Sequence, residues 1–323
     1  MRICYFGTYE RDYPRNALLI AGLRRSGATV TECHEPVWEL WRDKSGLRPL
    51  ALVVLALRLL WGYARLALRY GRAPAHDVLI VGYLGQLDMP LAWLLAQLRG
   101  VPVLFNPMLS LYDTVCDDRA LLVPDSLPGR ALWLIDHVAC RLADLTILDT
   151  AQHADYFART FRLPRSRFDV VPIGADSDHF APQPAPPPHE QCEVLFVGKL
   201  IPLHGCETIV RAAALLRNQP IHFTLVGAGQ QQEQVRLLVA QLALANVTLV
   251  DWVEYAELPA CYAQADICLG IFGSSEKASR VVPNKVFQAL ATGRPVITAD
   301  TPAIRTSFAV GAELLVCPPN DAA

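Results

Sequence analysis

Three things are scarce in this chain of 323 residues: an excess of charge of either sign, cysteines in pairs, and a long apolar run free of charge. The formal net charge is only −2. A general nucleic-acid binder would carry a basic surplus, so that class is set aside and no nucleic-acid partner is expected. The nine cysteines are scattered, odd in number and form no C-x-x-C pair. Neither a disulfide framework nor a zinc site follows from them, and free thiols in apolar runs behave as small core residues. That usage fits a reducing cytosol. The most apolar stretch, from Pro49 to Gly71, is interrupted by Arg58, Arg65 and Arg69, which makes it a poor membrane-spanning helix. At the start, Ile3-Cys4-Tyr5-Phe6-Gly7 is too short an apolar run for a secretory leader and reads as a first strand. No Ser-His-Asp signature and no cluster of metal ligands is evident, and no cofactor is implied.

What is present is a large supply of core. Hydrophobic residues make up 52% of the chain and charged residues 19%, which suits two domains of ordinary size. Short apolar runs alternate with longer helical segments. Strands are expected at 3–6, 29–32, 77–82, 101–105, 145–148 and 169–172, with helices at 16–25, 90–99, 130–143 and 151–161. Such alternation argues for a parallel sheet covered by helices. A proline run from Phe180 to His189 then interrupts the pattern, because proline supplies no backbone donor and sustains neither a helix nor a central strand. The alternation restarts with strands at 193–197, 222–226, 247–250, 267–270 and 295–298 and helices at 207–217, 230–244 and 284–291. The expected division is 1–178, a linker at 179–191, and 192–323. Two such α/β domains on a hinge would enclose a cleft able to hold two substrates at the carboxyl ends of their strands.

Four segments carry a family resemblance. Val170-Val171-Pro172-Ile173-Gly174-Ala175-Asp176, with Phe180 following, is one. Phe196-Val197-Gly198-Lys199-Leu200 is the second, and Phe223-Thr224-Leu225-Val226-Gly227-Ala228-Gly229 the third. The fourth runs Phe287-Gln288-Ala289-Leu290-Ala291-Thr292-Gly293-Arg294-Pro295-Val296-Ile297. In this order and spacing they resemble the family 4 glycosyltransferases, most strongly from Asp144 to Thr298. The resemblance implies the GT-B fold, two Rossmann-like domains facing each other across a cleft. It also implies sugar transfer from a nucleotide-diphosphate-sugar donor to a sugar or lipid-linked acceptor, with retention and without metal. The sequence departs from the family in places. The glycine-rich loop after the first strand here reads Gly7-Thr8-Tyr9-Glu10-Arg11-Asp12-Tyr13-Pro14-Arg15. The family's arginine–lysine pair reads Lys199 and His204-Gly205. The second glutamate of its Glu-x7-Glu motif is Gln288. The residue eight positions earlier is Arg280, so the first glutamate is either supplied by Glu276 or absent. In the family, further helices follow the last strand. The chain is therefore expected to continue beyond Ala323, leaving an apolar surface near Leu314–Val316.

A departing diphosphate needs cations and aimed backbone N–H groups. Lys199, just past a strand and beside Gly198, can reach a phosphate as a point charge, and His204 before Gly205 is a second candidate. In the next loop, Glu276 can accept hydrogen bonds from sugar hydroxyls, while Arg280 and Lys285 can neutralise phosphate. Asn284 is read as an N-cap and Gln288 as an amide for ribose hydroxyls. Gly7, Gly227 and Gly229 allow a tight turn and close approach of the nucleotide. Trp252 and Val253 fall where the resemblance puts the base, although a tryptophan at a strand end is more often core. In the first half, Asp113 and then Asp88 are strand-end carboxylates able to take an acceptor proton, or equally to cap helices. His153 and Asp155 read as an ordinary helix surface.

Arg58, Arg65, Arg69 and Arg72 share one face of the helix expected over 49–72, with leucines filling much of the rest. Such a helix either covers a domain or lies on anionic lipid. Peripheral contact with the inner face of the membrane is the expectation this adds to a cytoplasmic protein. Two other functions fit the same fold: a nucleotide-sugar epimerase, and a non-catalytic nucleotide-sugar-binding subunit. Epimer formation from a nucleotide-sugar alone would mark the first, and donor binding without turnover the second.

Overall fold

Val78-Leu79-Ile80-Val81 is apolar at every position, which a strand tolerates only where both sheet faces are covered; all four are buried. The same holds for Ile3–Phe6 in the first strand. The computed structural model describes residues 1–38, 49–184, 186 and 190–323, with the backbone alone at 49–53. Within the proline-rich stretch read as a linker, residues 185 and 187–189 lie outside the described residues. The chain divides into two units, Met1–Pro172 and Ile173–Ala323.

The N-terminal unit is a six-stranded parallel sheet, built from β1 (Arg2–Gly7), β2 (Thr29–His34), β3 (Val78–Val81), β4 (Val103–Phe105), β5 (Leu145–Leu148) and β6 (Phe168–Val170). The spatial order is β2-β1-β3-β4-β5-β6. The helices between them are α1 (Pro14–Arg25), α2 (Pro49–Arg72), α3 (Met89–Arg99), α4 (Leu127–Leu142) and α5 (Ala151–Thr160). From β2 onward every crossover steps in one direction, so right-handed connection lays α2, α3, α4 and α5 along the same face. Starts and stops follow local chemistry. Ser126 and Thr150 cap α4 and α5 by accepting the N–H groups of Gly129 and His153 at 3.2 and 3.0 Å. Arg99 closes α2 from outside, donating to the carbonyls of Tyr70 and Ala73 at 2.6 and 3.0 Å. The core beneath these helices holds Phe6, Phe105, Phe157 and Phe161, each fully buried. Burial stabilises each by on the order of 2 kcal/mol.

The C-terminal unit repeats the plan with β7 (Cys192–Val197), β8 (Ile221–Val226), β9 (Val247–Val250), β10 (Ile267–Leu269), β11 (Val296–Ala299) and β12 (Leu315–Cys317). The order is β12-β11-β10-β7-β8-β9, again all parallel. Its helices are α6 (Cys206–Leu215), α7 (Gln232–Gln241), α8 (Leu258–Gln264), α9 (Glu276–Arg280), α10 (Asn284–Ala291) and α11 (Pro302–Ser307). Phe180, from the hinge segment, belongs to this core, edge-on to Tyr255 and Tyr262 at 5.6 and 5.8 Å. Arg294 ties the linker down through the carbonyl of Pro184 and also donates to Ala263 at 2.9 Å. Of the Leu314–Val316 run, Leu314 is buried and Leu315 exposed. All nine cysteines are free, and six of them are buried.

Candidate active site

In each sheet the strand order reverses direction once, at β1/β3 and at β7/β10. Open parallel sheets take ligands at the carboxyl ends of strands flanking such a point. Both reversal points are crowded with polar groups, of different kinds.

At the C-terminal unit's reversal point the backbone packs on itself. A Cβ on Gly227 would stand 2.0 Å from the Gly198 carbonyl, and one on Gly229 2.6 Å from that of Leu200. The loops after β7 and β8 can therefore touch only as glycine backbone. Lys285 rises from the first turn of α10 into this floor. Its ammonium lies 3.6 Å from the centroid of the Phe196 ring and 2.5 Å from where a Cβ on Gly198 would be. The side chain is 7% exposed, and its Nζ has no hydrogen-bond partner among the described residues. Burial lowers its pKa to about 7. Beside it is His204, buried, with Nδ1–H donating to the Lys199 carbonyl. Burial, then the nearby lysine charges, holds the imidazole neutral well below its usual range. Lys199 itself is exposed.

The neighbouring loop supplies the rest. Glu276 opens α9 with its carboxylate 94% exposed, 3.8 Å from the buried Arg280 guanidinium. The cap of α10 is Pro283, not Asn284. Asn284 is the first helical residue, and its Oδ1 is buried without a hydrogen-bond partner among the described residues. Gln288 faces inward, its carbonyl accepting from the Tyr262 hydroxyl at 3.1 Å. Val253 packs partly into the core, whereas Trp252 is 58% exposed and donates to Glu254 at 3.0 Å. The expectation of a core tryptophan is thus reversed.

The N-terminal unit's reversal point is closed by carboxylates instead. Asp88 is fully buried. It accepts the Thr8 N–H at 2.7 Å and the Thr8 hydroxyl at 3.0 Å. Gly7 is the residue that makes room for it, since a Cβ there would lie 2.4 Å from Asp88 Oδ2. Desolvation pushes the Asp88 pKa up to about 6. Asp88 thus clamps the β1–α1 loop. Asp113 is also fully buried, at the start of a wide helical turn, with its N–H donating to Ser110 Oγ at 2.9 Å. Ser110 in turn donates to Asp136 at 2.8 Å.

Several polar residues here escape sequence reading. Arg15 is buried and spans strand ends, donating to Asn106 Oδ1 at 2.7 Å and to the Val171 carbonyl at 2.6 Å. Its Nη2 has no hydrogen-bond partner among the described residues. Burial lowers its pKa, and the charge of Asp149 opposes that. Asp149 in turn pairs with His153 Nδ1 at 2.6 Å. His153 is fully buried and no helix surface, correcting the expectation for it. The one available signal was the four-residue spacing of Asp149 and His153 at a helix entrance. Among the described residues no group of three or more potential ligands could hold a metal ion.

Known proteins share this architecture. The sucrose-phosphate synthase of Thermosynechococcus elongatus superposes with a TM-score of 0.71 and 17% identity, covering 99% of this chain and 86% of that one. Anabaena HepE, solved in complex with UDP-glucose, gives 0.66 and 15%, covering 100% and 86%. Both are GT-B structures, and the two parallel six-stranded sheets define that class. The model of the glycosyl transferase 4-like domain matches residues 11–174, and that of the group 1 glycosyl transferases residues 191–323. The chain belongs to the family 4 glycosyltransferases. Among curated proteins it is 30% identical over 187 residues to the D-inositol 3-phosphate glycosyltransferase of Nocardia farcinica, covering 53% of this chain and 40% of that protein. The alignments to the first relatives span 26% to 58% of those proteins' lengths.

Proposed function

We propose that this protein moves a sugar from a nucleotide-diphosphate-sugar donor to an acceptor, with retention and without a metal ion. The observation that carries the reading is the glycine floor at the β7/β10 reversal, with a buried ammonium that has no hydrogen-bond partner among the described residues. An unneutralised buried charge costs several kcal/mol, and a diphosphate is the ligand that would offset it. Lys285, Lys199 and Arg280 supply the positive charge that a metal otherwise brings to a leaving diphosphate. Glu276 and Gln288 are assigned to the donor sugar and ribose, Asn284 and His204 to the loop that frames the phosphates, and Trp252 with Val253 to the base. Asp113 is the acceptor-side carboxylate, and Asp88 shapes the loop beside it. Retention is supported by family membership alone. A thermal-shift panel of nucleoside diphosphates and their sugars tests donor binding, since a ligand of the native state raises its apparent stability by mass action. No shift with any of them would overturn the proposal. Product anomeric configuration and undiminished turnover in chelator test retention and metal independence. Epimerisation of the donor alone, or binding without transfer, would replace this reading with one of the two alternatives.

The acceptor we propose is lipid-linked, reached by peripheral contact with an anionic membrane. No helix among the described residues is long and apolar enough to cross a bilayer. Yet Leu57, Leu60, Trp61 and Leu68 of α2, Leu94 and Leu98 of α3, and Leu127 and Leu134 of α4 are all exposed. These three helices lie side by side on one sheet face. Their segments carry seven arginines, and their only acid, Asp136, is buried. Arg58, Arg65 and Arg72 recur every seven residues, nearly two turns, and so form one row beside the Trp61 stripe. Apolar side chains flanked by arginine suit the interface of an anionic bilayer. Salt-sensitive flotation with phosphatidylglycerol vesicles, and not with phosphatidylcholine, is expected. Failure to float with either would remove the membrane from the account.

A further inference from the structure

Among the described residues, six that are not glycine hold a left-handed backbone: Leu84, Met108, Ala120, Arg162, Ala243 and Asn320. Most have a local reason. Arg162 and Ala243 stand just past the C-caps of α5 and α7, where helices routinely end this way. Asparagine tolerates the conformation, and Ala120 follows the wide helical turn at 113–118. Leu84 and Met108, with φ of 67° and 60°, are the two with large apolar side chains, and neither ends a helix.

Their places match. β3 and β4 are neighbours, with Val81 opposite Phe105. Leu84 and Met108 each stand three residues beyond that pair. Leu84 is the third residue of a turn closed by the Gly85 N–H, which donates to the Gly82 carbonyl at 3.0 Å. Met108 follows Pro107, the order that a type II turn takes. At that third position the backbone calls for glycine, and a side chain there is strained. The first loop has its glycine one residue later, where a Cβ would lie 2.4 Å from the Val81 side chain. Gln86 joins the two loops, its Nε2 donating to the Leu109 carbonyl at 2.9 Å.

Packing accounts for these side chains only in part. Leu84 packs on the cluster of Val37, Trp38, Leu55 and Leu59. Leu55 and Leu59 belong to α2, which also exposes Leu57, Leu60 and Trp61. Leu87, in the same loop as Leu84, is exposed too. Met108 is partly buried and belongs to no hydrophobic cluster among the described residues.

We propose that Leu84 and Met108 form an apolar subsite for the acceptor, seating the hydrocarbon carbons next to its head group. The inference rests on the lipid-linked reading above and adds to it the two residues that select the chain. An acceptor with a chain buries apolar surface against them, and one without a chain gains nothing there.

The chain has three methionines, and Met89 is fully buried while Met1 is terminal. Carbon-13 in the methionine methyl groups therefore reports on Met108 separately, and Met108→Gly assigns its signal. The probes are octyl β-glucoside, below its micelle concentration, and methyl β-glucoside. The Met108 signal should shift saturably with the octyl compound and not with the methyl one, while Met89 stays in place. Leu84→Gly should weaken that titration, and Met108→Gly, read by calorimetry, should lose on the order of tenfold in affinity. Met108→Gly should also melt no lower than the wild type, because glycine takes the left-handed backbone without strain. The inference falls if octyl glucoside leaves Met108 unmoved, if methyl glucoside moves it equally, or if either variant binds as the wild type does. A Met108→Gly protein melting several degrees lower would mark the side chain as packing and overturn the inference as well. Vesicle flotation scores the membrane reading separately. Flotation without the Met108 shift removes this subsite alone, and absence of both removes the lipid-linked acceptor with it.

Discussion

The two reversal points treat buried charge in opposite ways. In the N-terminal unit three buried carboxylates are answered from within: Asp88 by Thr8, Asp136 by Ser110 and the Tyr112 N–H, and Asp149 by His153. In the C-terminal unit Lys285 is buried with no hydrogen-bond partner for its Nζ among the described residues, beside a histidine kept neutral. A network whose members satisfy one another holds a loop in place and asks for nothing more. A charge without a partner is stable only as far as the rest of the fold sustains it, and it gains most from a ligand of opposite sign. One site is thus shaped in advance, and the other holds a lysine whose charge a ligand would restore. That division suits an enzyme whose acceptor is positioned and whose donor leaves as an anion.

The largest effect should come from breaking the satisfied side. Arg15→Met strips Asn106 and the Val171 carbonyl of their donor and removes the positive charge near Asp149. We expect a loss of about 3 kcal/mol of stability, read from denaturant unfolding of the N-terminal unit. A loss below about 1 kcal/mol would mean that this network holds nothing.

Next in size is the pH dependence, which should have opposite signs in the two units. Asp88 and Asp136 each have a folded pKa pushed up to about 6 by burial, above the ordinary carboxylate value. Between roughly pH 4 and 6 the folded state then binds more protons than the unfolded chain, so stability falls as pH rises through that window. Lys285 is shifted the other way, lowered to about 7 from 10.5. Between those values the unfolded chain binds more protons, so this group makes stability rise with pH. Asp88→Asn should flatten the acid arm of a melting-temperature profile, and Lys285→Met the alkaline arm. If each variant alters the other's arm, the assignment is reversed.

The smallest effect sharpens the contrast between site and scaffold. Trp252 is exposed, and its indole N–H donates to Glu254 two residues on. Trp252→Ala should change stability by no more than about 0.5 kcal/mol, while weakening nucleotide affinity severalfold if the base stacks there. Calorimetric unfolding and titration on the same sample separate the two. Unchanged affinity would move the base elsewhere.

The fold was legible because its signal is local. An unbroken apolar run such as Val78–Val81 and a proline run such as the one after Phe180 announce a covered strand and a break without reference to anything distant. The candidate site was legible only where a motif carried it. Lys285, Gly198 and His204 each stand in or beside a motif, but no periodicity says that residues 87 positions apart in sequence lie side by side. Arg15 was missed for the same reason, since it meets Asn106 and Val171 across 91 and 156 residues. It reads from sequence as one more polar position at a helix start. Asn284 was misread because both it and Pro283 suit a helix entrance, and the backbone assigned the cap one residue earlier. His153 was misplaced because a polar helix position is usually outside, and only its partner four residues before takes it in.

Proton uptake on nucleotide binding tests the central claim most directly. At pH 8 the free Lys285 is mostly neutral. The charged and titratable groups around it are Lys199, exposed; His204, held neutral by burial and by the two lysines; and Cys206, whose thiol burial pushes up to about 11. A diphosphate bound beside Lys285 should restore the ammonium, and titration calorimetry in buffers of different ionisation enthalpy should then report uptake approaching one proton, absent in Lys285→Met. Binding of the wild type with no proton uptake, or with the same uptake in the variant, would contradict the account.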